Sequence, residues 1–84
     1  MSYLFRPSAE KQFAKLDPQT QSAIVKKLEF FTKTPNPLSF AKRLTHFGSG
    51  QYRFRIGDYR VTFDINEKTI IVLAIGHRSE IYKT

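Results

Sequence analysis

The sequence predicts an α+β fold of element order β-α-α-β-β-β, with an N-terminal helical hairpin packed on one face of a small, mostly antiparallel sheet. Three observations carry that prediction. Apolar residues recur at helical spacing from Ala9 to Phe31. In "YRFRIGDYR", residues 52–60, aromatic and cationic side chains alternate around a Gly-Asp pair, which reads as two half-buried strands joined by a tight turn. From Ile70 to Ile75 the chain is apolar without a break, which suits a central strand covered on both faces.

The elements follow in order. Tyr3-Leu4-Phe5 is a short apolar run that reads as a first strand. Pro7-Ser8 marks a helix start, and Ala9, Phe13 and Leu16 fall on one helical face. Asp17-Pro18 restarts the chain, with Asp as cap and Pro at the first helical position. Ile24, Val25, Leu28 and Phe31 continue a stripe on the second helix, while Lys26, Lys27 and Lys33 lie off it as a solvated face. Thr34-Pro35-Asn36-Pro37 ends that helix. Residues 38–50 read as a surface loop, with room for one helical turn, anchored by Leu38, Phe40, Leu44 and Phe47. Gln51–Ile56 and Tyr59–Ile65 form a hairpin about Gly57-Asp58, and Asn66-Glu67 turns the chain into a last strand, Lys68–His77.

The chain's 84 residues point to one domain, residues 1–84, with a modest core. There is no cysteine, hence no disulfide framework and no thiolate metal site, as expected of a reducing cytoplasm. The start, "MSYLFRPSAEK", has neither an apolar segment nor a cleavage site of the secretory type, and no apolar run is long enough to span a bilayer. Charge is the informative total. Fourteen Lys and Arg against seven Asp and Glu give +7. Such a balance calls for a polyanion partner: nucleic acid, an acidic protein or an anionic membrane surface, with nucleic acid favoured.

A two-residue turn at Gly57-Asp58 sets Ile56 opposite Tyr59, Arg55 opposite Arg60, Phe54 opposite Val61 and Arg53 opposite Thr62. One face then carries Tyr52, Phe54, Ile56, Tyr59, Val61 and Phe63 and packs on the helices. The other carries Arg53, Arg55 and Arg60 with Thr62 and Asp64. Like charges directly opposed repel, so a solvated face is the plain reading and an anion site the functional one; guanidinium matches phosphate well. Lys42 and Arg43 in the preceding loop are expected to join Arg53, Arg55 and Arg60 in contacting RNA, should the polyanion be RNA. The tail, "GHRSEIYK", brings His77, Arg78 and Tyr82 to the end of the last strand, beside the arginine face. Two distant histidines and no paired carboxylates give no metal cluster, and no cofactor is implied. RNA can supply its own nucleophile, the 2′-hydroxyl. A protein then needs orientation, phosphate stabilisation and proton transfer.

The order of elements, the "RIGDYRV" hairpin and the ending "IGHRSEIY" resemble the RelE branch of the RelE/ParE toxins of bacterial and archaeal toxin–antitoxin modules. The resemblance covers essentially the whole chain. It implies a ribosome-dependent endoribonuclease that cuts mRNA in the A site by metal-independent 2′-hydroxyl attack, silenced by a cognate antitoxin. Carried over residue by residue, Arg60 takes the arginine of the family's G-Y-R segment, Arg78 the arginine that follows the last strand's glycine, and Tyr82 the base-stacking tyrosine. Arg53 and Arg55 stand where one branch of the family carries lysines. An arginine cannot act as a base there, so His77 takes up proton transfer or the site works by electrostatics alone. Two alternatives stay open: a ParE-like gyrase inhibitor, and a non-catalytic nucleic-acid-binding module.

Overall fold

The computed structural model describes residues 1–44 and 51–81. Its elements are β1 (Ser2–Phe5), α1 (Pro7–Ala14), α2 (Pro18–Lys33), a 3-10 turn (Pro37–Phe40), β2 (Ala41–Arg43), β3 (Tyr52–Ile56), β4 (Tyr59–Asn66), β5 (Thr69–His77) and a short α3 (Arg78–Ile81). Among the described residues, no helix is long and apolar enough to cross a membrane.

Local signals explain the helical hairpin. Pro7 and Pro18 each sit in the first turn of their helix, where a missing N–H costs nothing. Asp17 caps α2: one carboxylate oxygen accepts from the Thr20 N–H at 3.2 Å and the other from the Thr20 hydroxyl at 2.6 Å. These bonds, the hydroxyl's first, hold its carboxyl below the ordinary range. Ala9, Ile24, Leu28 and Phe31 are buried against the sheet, and Lys26, Lys27 and Lys33 are exposed.

The strands form one sheet of order β1-β5-β4-β3-β2. Only β1 and β5 run parallel; the other pairs are antiparallel. The β3–β4 register is the expected one, from Ile56↔Tyr59 through Arg55↔Arg60 and Phe54↔Val61 to Arg53↔Thr62. Gly57 adopts a φ of +59°, the left-handed conformation a tight turn asks of glycine. Phe54, Ile56, Val61, Phe63, Ile70, Val72 and Ile75 are buried on the helix side. At its centre Phe54 stacks between Phe31 (ring centroids 4.4 Å apart) and Phe63 (4.3 Å).

Three expectations are corrected. Residues 38–50 are not all loop: Pro37–Phe40 makes the helical turn, but Ala41–Arg43 pairs with β3 as an edge strand, in register Ala41↔Phe54, Lys42↔Arg53 and Arg43↔Tyr52. The open edge of β3 imposes that strand on residues of ordinary propensity. Phe47 and the Gly48-Ser49-Gly50 segment lie outside the described residues. The second turn is Glu67-Lys68 rather than Asn66-Glu67, because Asn66 still pairs with Thr69 and Glu67 takes the left-handed φ of 57°. Finally, β5 is central in the sheet, but only its helix side is fully covered; Ile71, Leu73 and Ala74 are half-buried. Leu73 is also the extra residue of a β-bulge, since Phe63 pairs with Val72 while Thr62 pairs with Ala74.

Candidate functional site

Directly opposed residues of neighbouring strands project to the same face of a sheet. The registers therefore build two adjacent rungs on the side away from the helices. One runs Lys42–Arg53–Thr62–Ala74, and the next Arg55–Arg60–Gly76. Among the described residues, four cations share these two rungs, Lys42, Arg53, Arg55 and Arg60. Gly76 brings no side chain to its rung.

The arginines differ in how they are held. Arg55 is exposed and Arg53 half-buried, whereas Arg60 is only 5% exposed. One terminal nitrogen of Arg60 donates to the carbonyl oxygens of Gly57 and Tyr59, both at 3.0 Å. Its guanidinium is thus folded back onto the hairpin turn rather than facing Arg55. Arg60 Nε is buried and makes no hydrogen bond within the described structure. A buried N–H of a cation without an acceptor is unfavourable. Asp64, expected among the arginines, uses one carboxylate oxygen to accept from the Gln51 N–H at 2.8 Å, where β3 begins.

The strand end is held to the same turn. The Arg78 N–H donates to the Asp58 carbonyl at 2.8 Å, and Arg78 Nε stands 3.9 Å from the exposed Asp58 carboxylate. The turn Gly57–Tyr59 therefore holds Arg60 by the side chain and Arg78 by the backbone.

The expectation that His77 stands beside the arginines does not hold. It pairs with Tyr59, on the helix side, and their rings meet edge to face at 5.5 Å and 84°. The cause is the bulge at Leu73: one extra residue reverses the face of every position after it, taking Ile75 into the core and His77 with it. His77 Nδ1 accepts from the Ser79 N–H at 3.2 Å and lies 2.9 Å from the Ser79 hydroxyl. An N–H can only donate, so the neutral ring carries its proton on Nε2. Arg43 also falls on the helix-side parity, opposite Tyr52, away from Lys42. Tyr82 lies outside the described residues.

Two positions escaped sequence reasoning. β1 stops pairing at Val72, where the Arg6 N–H donates to the Val72 carbonyl at 2.9 Å. Beyond it, α1 covers the open edge of β5 with side chains. The Ser8 hydroxyl donates to the Leu73 carbonyl at 3.0 Å, and Gln12 Oε1 accepts from the Ile75 N–H at 2.7 Å. The two residues are one helical turn apart and clamp the bulge; their spacing, i and i+4, is the one signal of it in the sequence.

Residues 3–82 match a family model described as the ParE toxin of the type II toxin–antitoxin system parDE. The toxin RelG of Mycobacterium tuberculosis is 30% identical over 81 residues, covering 94% of this chain and 92% of that protein. Among solved structures, the toxin–antitoxin complex RelBE2 of M. tuberculosis matches with a TM-score of 0.77 and 28% identity, over 92% of this chain and 96% of that one. The intact RelBE complex of E. coli matches in fold, with a TM-score of 0.70 at 19% identity over 89% of this chain and 93% of that one.

Proposed function

The chain belongs to the ParE toxin family of type II toxin–antitoxin systems, within the RelE/ParE superfamily, and from that premise we propose that it works in the RelE manner. It is a ribosome-dependent endoribonuclease that cleaves mRNA in the A site and so inhibits translation. The observation that carries this reading is the cationic face that the strand registers build from Lys42, Arg53, Arg55 and Arg60.

The chemistry follows from what these groups can do. The 2′-hydroxyl of the nucleotide before the cut attacks the adjacent phosphorus. A P–O2′ bond forms and the P–O5′ bond breaks, leaving a 2′,3′-cyclic phosphate and a 5′-hydroxyl. The 2′ proton leaves to a base, and the departing 5′-oxygen takes up a proton. Negative charge builds on the non-bridging oxygens between these events. Arg55 and Arg60 stabilise it, with Arg53 and Lys42 holding the neighbouring backbone. Arg78 stands at the rim of the same turn and adds positive charge. The Nδ1 lone pair of His77 is engaged by Ser79, so Nε2–H makes it a donor in the neutral state and not the base. Tyr82 takes the base-stacking role that the resemblance implies. The reaction calls on no cofactor and no metal.

The partner that silences the toxin is a cognate antitoxin; the similar M. tuberculosis and E. coli structures are toxin–antitoxin complexes. Primer extension on mRNA with translating ribosomes tests the activity. Cuts at A-site codons are expected, with resistance of a message carrying a 2′-deoxy sugar at the cleavage position. Normal cleavage of that message refutes the mechanism. The second reading, gyrase inhibition, is favoured by the matching family being described as ParE. Loss of supercoiling activity without any mRNA cut is its signature.

A further inference from the structure

The chemistry above leaves Asp58 without a role. It lies at the tip of the β3–β4 hairpin, next to strands that carry Arg53, Arg55 and Arg60. An acidic group there weakens the attraction of the surface for RNA. The turn does not require the charge either. Gly57 takes the first central position at a φ of +59°, and the second accepts Asn or Ser as readily as Asp.

What Asp58 touches is Arg78, at two points. Its carbonyl accepts from the Arg78 N–H at 2.8 Å, one step beyond Tyr59↔His77, the last pair of the β4–β5 ladder. Its carboxylate stands 3.9 Å from Arg78 Nε. The backbone bond fixes where the Arg78 side chain starts, and the carboxylate restrains where it goes. The two side chains are 60% and 71% exposed, and an ion pair so exposed adds little to stability. Its contribution is therefore to orientation. A guanidinium engaged at Nε keeps both terminal nitrogens for a second anion, and these grip phosphate as a fork.

We propose that Asp58 is a positioning residue, which holds Arg78 at the backbone and at Nε and so presents its terminal nitrogens to the scissile phosphate. An arginine ordered beforehand loses less rotamer freedom when charge develops on that phosphate, so the gain appears in the transition state. The consequence for cleavage rests on the role given to Arg78 above; the restraint itself does not. Charge alone predicts the reverse, since removing an acid from a phosphate site strengthens RNA binding and speeds cleavage. The two readings differ in sign.

The test is Asp58→Asn, which removes the charge and keeps the turn, in the wild-type and Arg78→Ala backgrounds. On programmed ribosomes Asp58→Asn lowers kcat about three- to tenfold, the scale of the rotamer freedom an arginine loses on binding, while KM stays the same or falls. In the Arg78→Ala background the same change has no further effect. Without RNA, nitrogen-15 relaxation of the free protein shows a less ordered Arg78 Nε in Asp58→Asn. The Arg60 Nε–H shift and the unfolding temperature stay where they were, which separates a loosened arginine from a disrupted turn. A kcat at or above wild type overturns the proposal, as does an equal loss in both backgrounds or an unchanged order of Arg78 Nε. A lowered unfolding temperature with a displaced Arg60 signal makes Asp58 a turn residue and overturns it too. If Arg78→Ala itself cleaves normally, the proposed function loses its assignment of Arg78, and the relaxation of Nε still decides whether Asp58 restrains it.

Discussion

Arg55 and Arg60 face each other across β3 and β4, yet replacing each with alanine has opposite consequences for the fold. Arg60 is 5% exposed and donates to two turn carbonyls at 3.0 Å. Hydrogen bonds to a charged group contribute about 1.5–3 kcal/mol each. Against them stand the unsatisfied Nε, at about 1–3 kcal/mol, and repulsion by Arg55, at about 0.2–1 kcal/mol. The balance is a loss of about 2 kcal/mol for Arg60→Ala, or roughly 10 °C of unfolding temperature for a domain of this size. Arg55 is exposed, so Arg55→Ala stays within about 0.5 kcal/mol of wild type, with relief of repulsion on the stabilising side. Both variants lose phosphate stabilisation, about a hundredfold in cleavage rate or more. Thermal unfolding is measured with and without sulfate, beside cleavage on programmed ribosomes. Sulfate at ten times its Kd stabilises the wild type by about 1.4 kcal/mol, and it stabilises Arg55→Ala less. An Arg60→Ala protein with wild-type unfolding refutes the energetic argument. An Arg55→Ala protein with wild-type cleavage reduces the cationic face to a solvated surface.

Other outcomes follow from the same geometry. Arg78→Ala lowers cleavage more than His77→Gln; a far larger loss at His77, with its titration visible in the pH–rate profile, reverses that assignment. Gln12→Leu leaves the Ile75 N–H without its acceptor and costs about 1–2 kcal/mol, seen as faster hydrogen exchange at that amide. Phe54→Ala opens a cavity between Phe31 and Phe63 and costs about 3–5 kcal/mol, enough to unfold much of the population in chemical denaturation. The Asp17 carboxyl titrates below the ordinary aspartate value, so the cap's contribution is complete above the unfolded value and is lost as pH falls through the depressed folded one. Carboxyl chemical shifts against pH check the direction, and Asp17→Asn removes the dependence.

Much of this fold is legible because short-range chemistry dictates it. Gly57-Asp58 allows one tight turn, and that turn alone sets every pair of the β3–β4 hairpin, including Arg55 against Arg60. Asp17-Pro18 starts α2, and the stripe of Ile24, Leu28 and Phe31 says which side of it is buried. β2 is not legible, because Ala41-Lys42-Arg43 has no pattern of its own and becomes a strand only where β3 offers an edge. The burial of Arg60 is not legible either, since alternation gives a face and not an environment.

The harder failure is His77, and it shows what decides the site. Counting alternate residues from Ile70 and Val72, which are buried, puts Ile75 and His77 on the arginine side. The bulge at Leu73 breaks the count. A bulge survives when the displaced backbone groups find partners, and here α1 supplies them: Ser8 at the Leu73 carbonyl and Gln12 at the Ile75 N–H. Once the bulge stands, Ile75 joins Val61 in the core, Gly76 comes opposite Arg60, and the Arg78 N–H reaches the Asp58 carbonyl. Without it, Ile75 would stand opposite Arg60 in the place of Gly76. The bulge, set by two polar side chains of the first helix, is therefore what puts a glycine, and not Ile75, on that rung of the cationic face.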